Sequence, residues 1–269
     1  MQNSPSNLPE HLGLTPCRHG TMLYLKQDYY VGGSLARYGE FSEGEFELFR
    51  ELLRPGDVVV EAGANIGAHT VGLSRLVGPD GFVHAFEPQR IIFQMLCANI
   101  ALNGLGNVRA TQHGLAAAAG TLRVPPLDYT KLGNYGGISL TSMAGELVPL
   151  GTIDDLALDR LRLIKVDVEG MEGEVLAGAA DTIARLRPIL YVENDREANS
   201  PDLIRRIQGM GYRLWWHLPR LYNPQNYFQV PENSFGPVVS INMVCVPTET
   251  TTRIGLREIT DPDADWRAS

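Results

Sequence analysis

The chain has 269 residues, enough for one large α/β domain, with 44% hydrophobic and 20% charged residues and a net charge of −8. No apolar run approaches the roughly 18–20 residues needed to span a bilayer, and no cluster of Lys or Arg offers a nucleic-acid face. Three scattered cysteines, Cys17, Cys97 and Cys245, argue against a disulfide framework or a thiolate zinc site. The polar, proline-bearing first 16 residues lack the basic end and apolar core of a signal peptide, so a cytoplasmic location is expected. Two close arginine pairs, Arg160/Arg162 and Arg205/Arg206, read as solvated helix or strand ends. The expected partner is a small molecule, with no nucleic acid and no membrane span.

In chain order, residues 1–16 read as a loose leader. GTMLYLKQDYYVGG, residues 20–33, alternates like a strand and ends in a Gly-Gly turn. Ser42 with Glu45 three residues on forms a capping box before FELFRELL, a short helix that stops at Pro55-Gly56. DVVVEAG is a continuous apolar run, as in a strand buried on both faces of a parallel sheet. IGAHTVGLSRLV reads as a helix with His69 on its surface, and GPDG stops it. FVHAFEP is a second strand containing His84, RIIFQMLCANIALNG a second helix capped by Gly104, and VRATQHGL a third strand. Residues 116–160 are less regular, with a strand-like GTLRV, a glycine-rich KLGNYGG and a short TIDDLAL. LRLIKVDVEG is a strong buried strand, followed by the helix MEGEVLAGAADTIARL. PILYVEN, the helix PDLIRRIQGMG, YRLWWHL and VVSINMVCVP complete the series. Three units are expected: an N-terminal extension over 1–40, a main domain over 41–248 and a polar tail over 249–269.

Strands alternating with helices of this length imply right-handed crossovers and one doubly wound sheet, whose ligand lies beyond the carboxyl ends of the strands. The strand ends are therefore the candidate site: Glu61 with Gly63, Asn65 and Gly67; Glu87; Gln112, His113 and Gly114; Asp167 and Glu169; Glu193 and Asn194. The glycines of Gly63-Ala64-Asn65-Ile66-Gly67 do not fit the GxGxxG pattern of a dinucleotide site. Glu87 ends the next strand, where a carboxylate can accept both hydroxyls of a ribose. A ligand with a ribose, no pyrophosphate and a cationic end meets these conditions, and S-adenosylmethionine is such a ligand.

VVVEAGANIGAHT has the E-x-G-x-N-x-G form of the first motif of class I methyltransferases. Together with YGEFSEGE, FEP, IKVDVEGMEGEVLAGA and LYNPQNYF, it makes residues 20–246 resemble the FkbM family of S-adenosylmethionine-dependent methyltransferases. The resemblance implies a Rossmann-like α/β sheet of seven strands with an antiparallel last strand, preceded by a β/α extension. It also implies O-methylation of a hydroxyl on a sugar, glycolipid or secondary metabolite. Carried over by position, Glu61, Gly63, Asn65 and Gly67 line the methionine side of the cofactor, and Glu87 holds the ribose. Gln112, His113 and Gly114 border the adenine, while Tyr38, Glu40 and Ser42 close over the methionine end.

An alcohol becomes a good nucleophile only as its proton leaves, so a base or a metal is expected. Asp167 is the first candidate for either role, with Glu169, Glu193 and His217 as further catalytic candidates. Glu169 and Glu172 also suit a helix start, where acids complement the dipole, and His217 is better read as the end of an edge strand. Asp167, Glu193 and Asn194 resemble the Mg²⁺ arrangement of catechol-type O-methyltransferases, but Glu in place of the shorter Asp displaces the ligand oxygen. The metal-free reading is preferred. The long loop over 218–237 offers Tyr222, Asn223, Asn226, Tyr227 and Phe228 to a polar ring, or to its own packing. Two rivals remain open, a nicotinamide oxidoreductase and a non-catalytic cofactor-fold module. An N-methyltransferase is disfavoured, because Asp167-Val168-Glu169-Gly170 lacks the D/N-P-P-aromatic run that clamps a planar amine.

Overall fold

A computed structural model of the chain describes residues 8–137, 144–251 and 254–267. The first residues of the expected leader, positions 138–143 of the irregular stretch and four positions of the tail lie outside those described. Strands β1 (Leu12–Cys17) and β2 (Gly20–Leu25) form an antiparallel hairpin, so the leader becomes strand from Leu12 onward. Helix α1 (Val31–Tyr38) takes up the Gly-Gly pair that alternation assigned to a turn. Its contact with β2 explains the glycine: a Cβ on Gly32 would lie 1.9 Å from the Leu25 carbonyl oxygen.

Helix α2 (Glu43–Leu52) follows Ser42, which has φ 45° and makes no side-chain cap to the backbone. Its hydroxyl instead donates to Glu45 Oε1 at 2.7 Å, inside the protein. The expected capping box is thus replaced by a buried side-chain pair, because Glu45 turns inward. The next elements are β3 (Val58–Ala62), α3 (Thr70–Val77), β4 (Phe82–Phe86), α4 (Arg90–Leu102) and β5 (Val108–Thr111). Gly104, at φ 64°, closes the end of α4 as its sequence position implied.

The end of the expected third strand separates as β6 (Gly114–Leu115), which joins β7 (Gly120–Val124) and β8 (Glu146–Gly151) of the irregular stretch in a separate three-stranded sheet. The chain returns to the main sheet with β9 (Leu163–Val166). The helix expected after it is two helices, α5 (Glu172–Ala177) and α6 (Ala180–Leu186). The break falls where Gly178 presses on the Ala116 carbonyl, whose oxygen would be 2.0 Å from a Cβ there. β10 (Ile189–Glu193), α7 (Ser200–Gly209), β11 (Tyr212–His217) and β12 (Asn242–Pro247) complete the expected series. β13 (Arg257–Glu258), from the polar tail, adds an eighth, two-residue strand at the edge beside β11.

The main sheet runs β13-β11-β12-β10-β9-β3-β4-β5. β5, β4, β3, β9 and β10 are mutually parallel, and β12 inserts antiparallel between β10 and β11. Alternate residues feed two apolar layers. Val58, Val60 and Ala62 pack with Ile164, Val166 and Val192 on one face. Val59 packs with Leu163, Tyr191 and Val244 on the other. The strand order reverses at β3, so its carboxyl end and those of β4, β9 and β10 surround one opening.

Candidate active site

The turn after β3 is wired to the end of β4. The N–H groups of Gly63 and Ala64 both donate to the Phe86 carbonyl, and that of Asn65 donates to Glu87 Oε2 at 3.0 Å. Gly63, Asn65 and Gly67 all have positive φ, and a Cβ on Gly63 would lie 1.8 Å from the Asp167 carbonyl oxygen. Glycine at 63 is therefore required both by conformation and by the approach of the β9 end. Glu87 is buried and its Oε1 also accepts the Gln89 N–H at 2.8 Å. Burial raises its pKa to about 7, against the two backbone hydrogen bonds that favour its charge.

Two cavities abut here and share Gly63, Glu87, Gly136, Asp167 and Glu169 as wall. The first is flanked by His113, Gly114, Leu115, Leu122, Val168 and Met171, a largely apolar slot. The second is polar and carries Glu45, Glu61, Asn65, His69, Lys165 and Glu193. Of the residues expected around a base ring, His113 and Gly114 stand in the slot wall, whereas Gln112 lines neither cavity. Gly67 is also outside both walls; it shapes the turn from behind, against Leu96.

Register places Glu61 beside Lys165, and Lys165 beside Tyr191, on one face of three adjacent strands. Lys165 is only 2% exposed, and its Nζ donates to Asp167 Oδ2 at 3.1 Å. Burial opposes its charge, but Asp167, Glu61 and Glu45 outweigh that and raise its pKa. Glu61 accepts the Thr70 hydroxyl at 2.6 Å, and burial raises its pKa to about 7, partly offset by Lys165. This buried lysine escaped the sequence reading. Its signal was present as a single cation inside the apolar run LRLIKV.

His69 is a correction. It is not on a helix surface but 6% exposed, packed against Phe41 and Phe49, with its Nε2 lacking a partner among the described residues. Helix α3 starts only at Thr70, so His69 belongs to the turn, which folds beneath α2. Burial and the nearby Lys165 charge push its pKa down to about 3.

Asp167, Glu169 and Glu193 come together, with one oxygen of each within 4.8 Å of the others. Glu169 has φ 57°, a strained setting for a non-glycine residue, and pairs with Arg196. Burial and the Asp167 charge lift its pKa to about 7, and the same causes lift Glu193 well above the usual carboxylate range. Glu172 accepts the Gly170 N–H at the start of α5, the structural option for that residue. Asn194 points elsewhere: its amide donates to Ser200 Oγ and Met243 Sδ, away from the three acids. His217 also lines neither cavity and is hydrogen bonded through Nδ1 to the Tyr191 hydroxyl at 2.9 Å.

Tyr38, Glu40 and Ser42 do not border the cavities; they fasten neighbouring chain. Tyr38 bonds to Glu232 and Ser234, and Glu40 accepts from Arg18, Asn223 and the Tyr227 N–H. The loop over 218–237 folds largely on itself. Tyr222 donates to the Val230 and Pro231 carbonyls, and Asn226 bridges Asn223 and Val230. Tyr227 and Phe228 are exposed beside Gly39. The loop reaches the polar cavity through Leu221, and the chain leading from it into β12 does so through Val238–Asn242.

The sheet order with its inserted antiparallel strand, the glycine turn after β3 and the acid after β4 define the Rossmann-like fold of class I methyltransferases. The chain belongs to the FkbM methyltransferase family, whose domain profile matches residues 61–214, more than half of its length. It is 34% identical to methyltransferase sdnD of Sordaria araneosa over 155 residues, covering 45% of this chain and 59% of that one. Over 228 residues it is 27% identical to 31-O-demethyl-FK506 methyltransferase FkbM of Streptomyces tacrolimicus, covering 68% and 86%. It is 30% identical to hexuronic acid methyltransferase AglP of Haloferax volcanii over 149 residues, covering 52% and 58%. The chain thus spans under two thirds of two of these relatives. Among the described residues no helix is long and apolar enough to cross a membrane.

Proposed function

We propose that the protein transfers the methyl group of S-adenosylmethionine to a hydroxyl oxygen of a small polyhydroxylated acceptor. The observation that carries this reading is the pair of abutting cavities that share Gly63, Glu87 and Asp167. The residues present fit the cofactor. The apolar slot beside His113, Gly114 and Met171 suits a planar base, and Glu87 keeps lone pairs on both oxygens for a vicinal diol. The glycine turn suits the amino-acid end, and the acidic polar cavity favours a sulfonium over a pyrophosphate. Bound there, the cofactor supplies an electrophilic methyl group.

The chain's own residues then align the acceptor and handle its proton. Asp167 stands where the two cavities meet and accepts the hydroxyl proton, and Lys165 fixes its carboxylate. The named activities of two relatives, on 31-O-demethyl-FK506 and on a hexuronic acid, support a hydroxyl-bearing acceptor. The net charge of −8 and the acid-lined cavity support a small molecule over nucleic acid.

Calorimetric titration with S-adenosylhomocysteine, with NAD⁺ as control, tests the reading. Micromolar binding of S-adenosylhomocysteine is expected. Glu87→Ala should weaken it on the order of 100-fold, the value of two hydrogen bonds to a charged group. No binding by the wild type, or binding of NAD⁺ instead, would overturn the proposal.

A further inference from the structure

We infer that Asp167, Glu169 and Glu193 form a binding site for one hard divalent cation in the wall of the polar cavity. The inference rests on the methyl-transfer reading only for the ion's role, not for its binding. Three carboxylate oxygens, one from each residue, lie within 4.8 Å of one another. Three oxygens spread evenly about a Ca²⁺ ion, at bond lengths of about 2.3–2.6 Å, lie about 4.0–4.5 Å apart, a small inward adjustment for these side chains. Mg²⁺, at about 2.0–2.1 Å, draws the same three oxygens in further, to about 3.5 Å. An all-oxygen set selects Mg²⁺, Ca²⁺ or Mn²⁺ over softer metals.

Two features beyond the acidic cluster point to a ligand. Glu193 Oε2 is buried and accepts no hydrogen bond, although Asn242, its register partner on β12, carries a buried amide nitrogen that donates none. The His69 Nε2 is likewise unpartnered, and His69, Asn242 and Glu193 all line this one cavity. His69 and Asn242 are 6% and 4% exposed, so bulk water does not readily satisfy them. Such unmatched groups are costly in a polar cavity; an ion completes the Glu193 oxygen, and water bound to that ion accepts from the Asn242 amide.

Charge balance leads to the same place. Asp167, Glu169 and Asp195 form ion pairs only with Lys165 and Arg196 among the described residues, and Glu193 forms none. When all four are ionised, these carboxylates face two cations, an excess that either bound protons or one divalent ion would cancel. Lys165 and Arg196 do not occupy the site. Lys165 engages Asp167 through Oδ2 and Arg196 engages Glu169 through Oε2, and the second oxygen of each takes no hydrogen bond among the described residues. The third ligand differs from the one the sequence suggested, since Asn194 is committed to Ser200 and Met243. With an ion in place, Asp167 would act on the acceptor through it, because a bound cation lowers the pKa of an attached hydroxyl.

The test uses Mn²⁺ as a paramagnetic probe on the full chain, counting free ion by its resonance signal, with and without S-adenosylhomocysteine. One Mn²⁺ per chain is expected, displaced by Mg²⁺ or Ca²⁺. Glu193→Gln and Glu169→Gln should each weaken it by more than about tenfold, the lower end of what losing even an outer partner of a metal ligand costs. Glu197→Gln, at an exposed acid paired with Arg267, should leave it unchanged. Retained S-adenosylhomocysteine binding by Glu193→Gln would show that variant to be folded. Absence of a saturable site, or equal affinity in all three variants, sinks the inference. Mn²⁺ binding without S-adenosylhomocysteine binding would instead remove the methyl-transfer reading and leave the ion site standing.

Discussion

Lys165 holds together side chains that could not otherwise share one interior. Its ammonium group is buried against Asp167 and within the field of Glu45 and Glu61. A buried ion pair contributes little against an apolar substitute, but removing one partner strands the other charges. Lys165→Met should therefore destabilise the fold by about 3–5 kcal/mol, measured by urea unfolding, even though methionine fills much the same volume. A loss below about 1 kcal/mol would mean that the three acids simply take up protons, and that Lys165 organises nothing.

At the scale of elements, the turn between β3 and α3 is the most constrained joint. Gly63→Ala must both hold φ 82° and push the Asp167 carbonyl away from a Cβ drawn at 1.8 Å. It should cost at least about 2 kcal/mol in thermal unfolding and abolish S-adenosylhomocysteine binding. Gly56→Ala is the matched control. It shares the positive φ, but its Cβ would meet nothing within 4 Å, so it should cost less and leave binding intact.

The same joint shows what was legible in the sequence. Buried parallel strands announce themselves as apolar runs, and the acids that end them could be placed before any contact was known. β1 escaped because Gly13 and Pro16 interrupt its alternation, and α5 and α6 were fused because nothing local marks Gly178 as a contact with Ala116. Lys165 and His69 were missed or misplaced for a related reason. Their burial is created by α2 and by neighbouring strands, and periodicity within one element does not report what another lays over it. For the loop over 218–237 the sequence left a ligand surface and self-packing both open, and Tyr222 and Asn226 spend their polar atoms within the loop.

For the whole molecule, the acids of the cleft set stability and ligand affinity against each other as pH changes. Burial raises Glu87 from 4.5 to about 7, so between those values the folded protein holds a proton that the unfolded chain releases. Stability from this group is complete below about pH 4.5 and is lost as pH rises through about 7. The apo protein should therefore lose on the order of 1–3 kcal/mol between pH 5 and pH 8 from Glu87. Glu61, raised in the same direction by burial, adds to the loss. Other groups titrate too, so the quantity to measure is the difference between wild type and Glu87→Gln in denaturant unfolding at each pH. The glutamine variant should have the flatter curve. Affinity for S-adenosylhomocysteine should move the other way, because only the ionised carboxylate accepts from both ribose hydroxyls. It should tighten as pH climbs through about 7 in the wild type and stay weak and level in Glu87→Gln. A cleft strained by its own charge when empty, and relieved when the diol arrives, would produce these opposed slopes. Parallel slopes would place the ribose on another residue.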